Sequence, residues 1–527
     1  MRGKVDRDRK LFVSFFFITF FVITLGLFYL LPGKWRVAFL CLMSCLWCAY
    51  LDIRSLFILV AGMLYCYLGG ILLERHRDLR KESFLKKQPA NPKNDQPVES
   101  RKWLLFLLVG FCVLWITVYK FGTYFCTRFC IQVPESILTQ LVMPIGFSFY
   151  LFQIISYFVD IYRGNAKAER NFWNLALWLS FFPKLVSGPI EREHDFLPQL
   201  QNVRKVTFWN TGRISVSLSY VLYGYFLKIV IADRLMPMVD RIFNNPGGFD
   251  SFFLILGAVL YTFQIYCDFA GYSYIAVGLS ELFGIHLTMN FKEPYTAQSM
   301  TDFWHRWHIS LSSWLRDYLY ISLGSWFREY VYIPLGGNRK GIVRKVMNNM
   351  IVFLVCGMWH GAGLNYIAWG LIHGFYTSME AVKKDRNKKT GKMVPGKKGK
   401  CVFFLQAAGV FLLAAFAWIF FRAGSASAAL RYLSGIIPMH LQFADWNEMF
   451  LTVFEKNIEF WLAFLGIVMV SVGDWVSSRK GVVFPELLQQ KSSGVRYVFF
   501  VVMILILFVF GIYGPGYDTG QFIYMQF

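Results

Sequence analysis

Apolar runs of bilayer length constrain this chain more than any other feature. The first, Leu11–Leu31, matches the roughly 20 residues an α-helix needs to cross the hydrocarbon core of a membrane. Further candidate spans are Val37–Leu51, Leu56–Leu73, Trp103–Tyr119, Ile137–Phe158, Ile214–Ile231, Phe252–Leu279, Met347–Ile372, Val402–Phe421, Phe460–Val476 and Val498–Ile512. A cleaved leader has a shorter core and is not followed by many spans, so the first run reads as retained. Composition agrees: the chain is 56% hydrophobic and only 16% charged, too few charges to cover a water-soluble fold of this size. The expected fold class is an all-α integral membrane protein, a multi-pass helical bundle of about 11 spans.

Two segments read differently from plain spans. Val37–Leu51 is short enough for a half-helix, and Leu175–Pro189 is apolar but ends in Phe-Phe-Pro-Lys-Leu-Val-Ser-Gly-Pro, which interrupts any helix. Irregular backbone at membrane depth is tolerated only inside protein or beside a water-filled cavity. A re-entrant segment is therefore expected at Leu175–Pro189.

The formal net charge is +22, but its distribution argues against nucleic acid. Lys and Arg gather at Arg2 to Lys10, Glu74–Lys102 and Lys383–Lys400. Short basic segments beside apolar spans are orientation signals that stay cytoplasmic. With these inside, the three spans after Lys400 would put Phe527 outside. The ten cysteines are scattered, mostly within apolar runs, and Cys126 and Cys130 lack the partner pair that a zinc site needs. They read as packing thiols, and no metal is expected.

A tandem repeat interrupts the polar stretch between spans. Ile309-Ser-Leu-Ser-Ser-Trp-Leu-Arg-Asp-Tyr-Leu-Tyr320 is followed by Ile321-Ser-Leu-Gly-Ser-Trp-Phe-Arg-Glu-Tyr-Val-Tyr332. Two short copies are too few for a solenoid, and a local duplication accounts for them.

Ionisable groups at membrane depth are costly and are functional candidates by default. Of the eight histidines, His76, His194, His286 and His440 lie in polar stretches or near span ends. His305, His308 and His360 carry more weight. Read as one helix at about 100° per residue, Trp304, Trp307, His308, Leu311, Trp314, Leu315 and Tyr318 share one arc of about 120°. Arg306, Ser310, Ser313 and Asp317 fall opposite. An interfacial amphipathic helix is expected, with His308 on its aromatic face and His305 at the edge. On this reading His308 is either a packing histidine or a site residue.

His360 ends the apolar run Met350–Trp359 and precedes Gly361-Ala-Gly363. Small residues let a backbone or ligand approach closely. An imidazole withdrawn from water favours its neutral form and can accept a proton near neutral pH. A Gly-flanked packing histidine explains the same residues equally well. His373, read on the same helix, would point away from His360. Asp268 and Lys228 also interrupt apolar runs, and structural pairing is the expected role of both.

Several motifs together resemble the membrane-bound O-acyltransferase family, in its bacterial branch of alginate O-acetylation membrane proteins. They are Met143-Pro-Ile-Gly-Phe-Ser-Phe-Tyr150, Phe182-Pro-Lys-Leu-Val-Ser-Gly-Pro189, Asp268-Phe-Ala-Gly-Tyr-Ser273, Asp302-Phe-Trp-His-Arg-Trp-His-Ile-Ser-Leu311, Tyr332-Ile-Pro-Leu-Gly-Gly-Asn338 and Gly357-Met-Trp-His-Gly-Ala362. The resemblance implies re-entrant and interfacial helices around a transmembrane tunnel. It implies a catalytic core at 103–382, preceded by N-terminal spans and a basic loop at 1–102. A basic cytoplasmic loop at 383–400 and C-terminal spans at 401–527 would follow.

By motif match His360 is the catalytic histidine and His308 its supporting partner. The implied reaction takes an acetyl group from a cytosolic thioester, acetyl-CoA, to a cell-envelope polysaccharide outside the bacterial plasma membrane. No bound cofactor is implied, and an extracytoplasmic esterase-like partner is. The twelve-residue duplication departs from the family pattern, so neither Arg316 nor Arg328 receives a role. Two other readings stay open here: D-alanyl transfer to teichoic acid, and, from the spans and buried polar residues alone, a lipid or polysaccharide transporter.

Overall fold

A computed structural model describes residues 12–86, 102–129, 134, 141–320, 341–390, 400–437 and 446–513. Those residues are helical, with no strand among them. Among the described residues, nine helices are long and apolar enough to cross a membrane: Gly33–Leu51, Ile53–His76, Lys102–Cys126, Thr211–Asn244, Ser251–Leu282, Gly341–His360, Cys401–Arg422, Asn457–Lys480 and Ser493–Phe510. Eight coincide with a span expected from the sequence, and the ninth, Gly341–His360, covers only the first part of the expected span Met347–Ile372. Val37–Leu51, expected as a half-helix, is part of a full 19-residue helix.

Two other expected spans are shorter than the sequence suggested. Leu11–Leu31 yields the 16-residue helix Phe15–Leu30, stopped at Pro32. Ile137–Phe158 yields the 17-residue helix Phe147–Arg163, whose residues are buried almost throughout. An apolar run alone does not say whether lipid or protein surrounds it.

The chain divides into two compact units. The first comprises residues 1–211 and 279–288. Its core is the Phe147–Arg163 helix, which starts at Gly146 with φ +68 and stops at Gly164 with φ +82. Glycine suits both positions, since L side chains rarely adopt that backbone. At Gly146 a Cβ would also sit 2.0 Å from the Leu185 carbonyl oxygen. Leu175–Pro189 is a short helix, Phe172–Ser180, then a single turn, Phe182–Leu185, and extended chain.

That segment is buried from end to end, as irregular backbone in an apolar setting must be, and several of its polar groups bond within the protein. Gln153 Nε2 and Trp178 Nε1 donate to the Glu191 carbonyl at 3.1 and 3.2 Å. Lys184 Nζ donates to Gln153 Oε1 at 3.1 Å. The Glu191 carboxylate accepts from Thr288 N at 2.6 Å and from Thr288 Oγ1 at 3.2 Å.

The second unit comprises residues 212–278 and 289–527. Its long helix Thr211–Asn244 contains a π-helical stretch, Phe226–Ala232, the kind of irregularity that re-aims side chains. It crosses Ser251–Leu282 where Gly224 meets Gly271: a Cβ on Gly224 would lie 2.7 Å from the Gly271 carbonyl oxygen. One turn further on, Lys228 Nζ pairs with Asp268 Oδ1 at 2.6 Å and with Asp233 Oδ1 at 2.8 Å. The structural pairing expected for Lys228 and Asp268 is present, and Asp233 is the member the sequence reading missed. Within a buried setting the three groups offset one another's desolvation.

The expected span Met347–Ile372 is a hairpin rather than one helix. Gly341–His360 ends at the histidine, and Leu364–Lys389 begins after Gly361–Gly363. The arms touch at two glycines, where a Cβ on Gly370 would lie 2.3 Å from the Phe353 carbonyl oxygen and 3.2 Å from Gly357 Cα. Close approach was expected at Gly361-Ala-Gly363; the backbones instead meet at Gly357 and Gly370, while Gly361 and Gly363 face the Tyr366 and Asn365 side chains.

Candidate active site

The hairpin places His360 at the end of an arm rather than within a continuous helix. It is 2% exposed. Its ring lies edge-on to Trp369 and Phe421, with centroids 5.0 Å away in each case. The turn is pinned by buried Asn365, whose Nδ2 donates to the Ala423 carbonyl at 2.9 Å and to the Phe420 carbonyl at 3.4 Å. Those carbonyls belong to the end of the Lys400–Arg422 helix and the residue beyond it, where carbonyls lack helical partners.

His308 is 0% exposed, whereas His305 faces outward. The continuous amphipathic helix expected across them is absent. Met300–Arg306 stops at Trp307, His308 adopts φ +45, and Ile309–Trp314 starts anew before a π-helical stretch at Leu315–Tyr320. Ser310, expected on the polar side, is buried. The 100° arithmetic failed because it assumed one helix axis. The left-handed residue turns His308 inward by its own backbone, a conformation uncommon outside glycine and worth a functional hypothesis.

Asn290 holds that turn from two sides. Its carbonyl accepts from Ile309 N at 2.9 Å and its Oδ1 from Ser310 N at 3.3 Å, while Nδ2 donates to Ser273 Oγ at 3.4 Å. The His308 ring centroid is 4.7 Å from that of Phe269. Burial pushes the His308 imidazole down to about 3, so it is neutral at physiological pH.

One indole joins the two candidate histidines: the Trp359 ring centroid is 4.6 Å from His360 and 6.3 Å from His308. His373, expected to point away, belongs to the same aromatic cluster because the chain reverses before it. It is 0% exposed, its centroid is 5.0 Å from Trp369, and its Nδ1 accepts from Trp304 Nε1 at 3.4 Å. Nothing local in the sequence marks Asn290, since the bonds it makes reach residues 17 to 20 positions away. For His373 the Gly361-Ala-Gly363 break was the available signal.

Arg316 is exposed and pairs with Asp317 at 2.9 Å. The second repeat copy, Arg328, the motif Tyr332–Asn338 and His440 lie outside the described residues. The arrangement is a buried aromatic cluster holding the His308 and His360 imidazoles, groups of the kind that can accept a proton or orient a polar carbonyl.

The model of the membrane-bound O-acyltransferase family matches residues 166–326 and 321–414. The two stretches overlap inside the second repeat copy, where the duplication lengthens the chain. The "Probable alginate O-acetylase AlgI" of Pseudomonas putida is 34% identical over 442 residues, covering 82% of this chain and 80% of the relative. The "Peptidoglycan O-acetyltransferase" of Helicobacter pylori is 30% identical over 436 residues, covering 78% and 75%. A "Teichoic acid D-alanyltransferase" of Streptococcus thermophilus is 28% identical over 324 residues, 59% of this chain and 72% of the relative. Identity at this level over four fifths of the chain is decisive: the protein belongs to the membrane-bound O-acyltransferase family.

Proposed function

We propose that this multi-pass protein of the bacterial plasma membrane is an O-acetyltransferase that takes acetyl from cytosolic acetyl-CoA and passes it toward an extracytoplasmic envelope polysaccharide. The observation that carries the reading is the pair of motif histidines, both buried and flanking one indole, Trp359. Relatives named for O-acetylation match more of the chain, at higher identity, than those named for D-alanyl transfer. A transporter would need the spans but not this histidine arrangement.

In the proposed reaction His360, as the neutral imidazole, takes the proton of the attacking hydroxyl as its oxygen bonds to the thioester carbonyl carbon. The C–S bond then breaks, and the leaving thiolate takes the proton that His360 holds, which returns the imidazole to its neutral form. His308, neutral and set on a left-handed turn, donates from its ring N–H to the carbonyl oxygen as charge builds there. The charged CoA moiety cannot cross lipid, whereas a small acyl group can be handed across within the protein. An esterase-like partner outside the membrane would complete transfer to the polysaccharide.

The test supplies membranes containing the chain with acetyl-labelled acetyl-CoA. Base-labile label in the envelope polymer is the expected result. Label accepted only from a D-alanyl carrier, or none above membranes lacking the chain, overturns the reading.

A further inference from the structure

A second cluster of chemistry-bearing side chains lies in the first unit, at the mouth of a cleft of about 460 Å³. Asp160 stands one turn before the left-handed Gly164 cap of the Phe147–Arg163 helix. Glu193 and His194 open the short helix Glu193–Phe196. One ligand atom from each of the three lies within 4.8 Å of the other two. Glu193 and His194 line the cleft.

The burial of these groups is the second observation. Asp160 is 5% and Glu193 3% exposed, and neither Glu193 carboxylate oxygen has a hydrogen-bond partner. His194 Nδ1 stands 3.7 Å from its Oε1, beyond hydrogen-bond length. A buried carboxylate without donors is expensive, and one beside a second carboxylate more so. Among the described residues no cation closes on Glu193 at hydrogen-bond distance, yet an imidazole and a second carboxylate lie within 4.8 Å of it and of each other.

We propose that Asp160, Glu193 and His194 bind one divalent transition-metal cation of the Zn²⁺ or Mn²⁺ type. Two carboxylates with one imidazole suit these borderline ions. Ca²⁺ and Mg²⁺ favour all-oxygen shells. The open side of the cleft leaves water to complete the coordination. The cation ties the end of the Phe147–Arg163 helix to the Glu193–Phe196 turn, so its role is to clamp two distant segments.

The proposal is independent of the transfer reaction and is tested without an activity assay. The full-length chain in detergent is stripped with chelator and titrated with Zn²⁺ against a competing chromogenic chelator. Wild type is expected to bind one Zn²⁺ more per chain than Glu193→Gln or Asp160→Asn. His194→Ala, at a side chain 60% exposed and so tolerated by the fold, is expected to weaken that site at least tenfold with an unchanged gel-filtration profile. Equal Zn²⁺ uptake by wild type and His194→Ala, or displacement of the bound ion by equimolar Mg²⁺, overturns the proposal.

Discussion

Replacing Gly357 by alanine separates the packing account of the site from a purely local one. A Cβ there would stand 2.4 Å from the Tyr366 carbonyl oxygen and 3.4 Å from Gly370 Cα. Carbonyl oxygens in helices cannot rotate aside, so the hairpin arms must part by about 1 Å to restore ordinary contact. Overpacking of this kind costs about 1–3 kcal/mol. His360 lies one turn beyond Gly357 on the same arm, and a misplacement of ~1 Å at a reacting group can cost about 10²-fold in rate.

Gly357→Ala is therefore expected to lower acetyl transfer about 10²-fold and to lower thermal stability in detergent. Gly409→Ala, inside the helix Lys400–Arg422 and with a Cβ that meets nothing within 4 Å, should leave transfer unchanged and raise stability slightly. The sign makes the test sharp. Alanine has the better helix propensity by about 0.8–1 kcal/mol, so without the glycine contact Gly357→Ala would stabilise the protein. A Gly357→Ala enzyme with raised melting temperature and normal transfer would refute the reasoning.

Three further expectations concern single side chains. His308→Ala should lower transfer about 10²-fold or more, while exposed His305→Ala stays within about twofold. Because His308 is neutral down to about 3, the acid limb of the pH–rate profile should keep its position in His308→Gln, and a shifted limb would count against that. Asn290→Ala removes the bonds to Ser310 N and Ser273 Oγ. A loss of about 1–3 kcal/mol in melting experiments is expected, with transfer falling more than stability alone explains. Lys228→Met strands two buried carboxylates, so a loss of about 3–5 kcal/mol should appear as little monodisperse protein. Adding Asp233→Asn and Asp268→Asn should recover much of it.

Hydropathy was legible because lipid imposes it directly: eight of the expected spans are single helices of spanning length among the described residues. It erred where apolar surroundings are protein rather than lipid, as around Phe147–Arg163. Two breaks in direction also escaped the periodicity argument. At Trp307–His308 a left-handed residue divides one expected helix into two, and at Gly361–Gly363 one expected span reverses into a hairpin. Each break moved a histidine, bringing His308 inward by backbone rather than by helical phase and His373 back toward Trp369. Pairing of Lys228 with Asp268 was readable from two charges in apolar runs, but Asp233 and Asn290 depend on tertiary neighbours that spacing does not encode.

The central claim is that His360 is the group that takes the proton during acyl transfer. It is tested most directly by His360→Ala expressed at wild-type level, with O-acetyl ester measured on the envelope polysaccharide. The account predicts at least a ~10²-fold loss of acetylation with unchanged membrane insertion and gel-filtration behaviour. Acetylation retained at the wild-type level in that variant would contradict it.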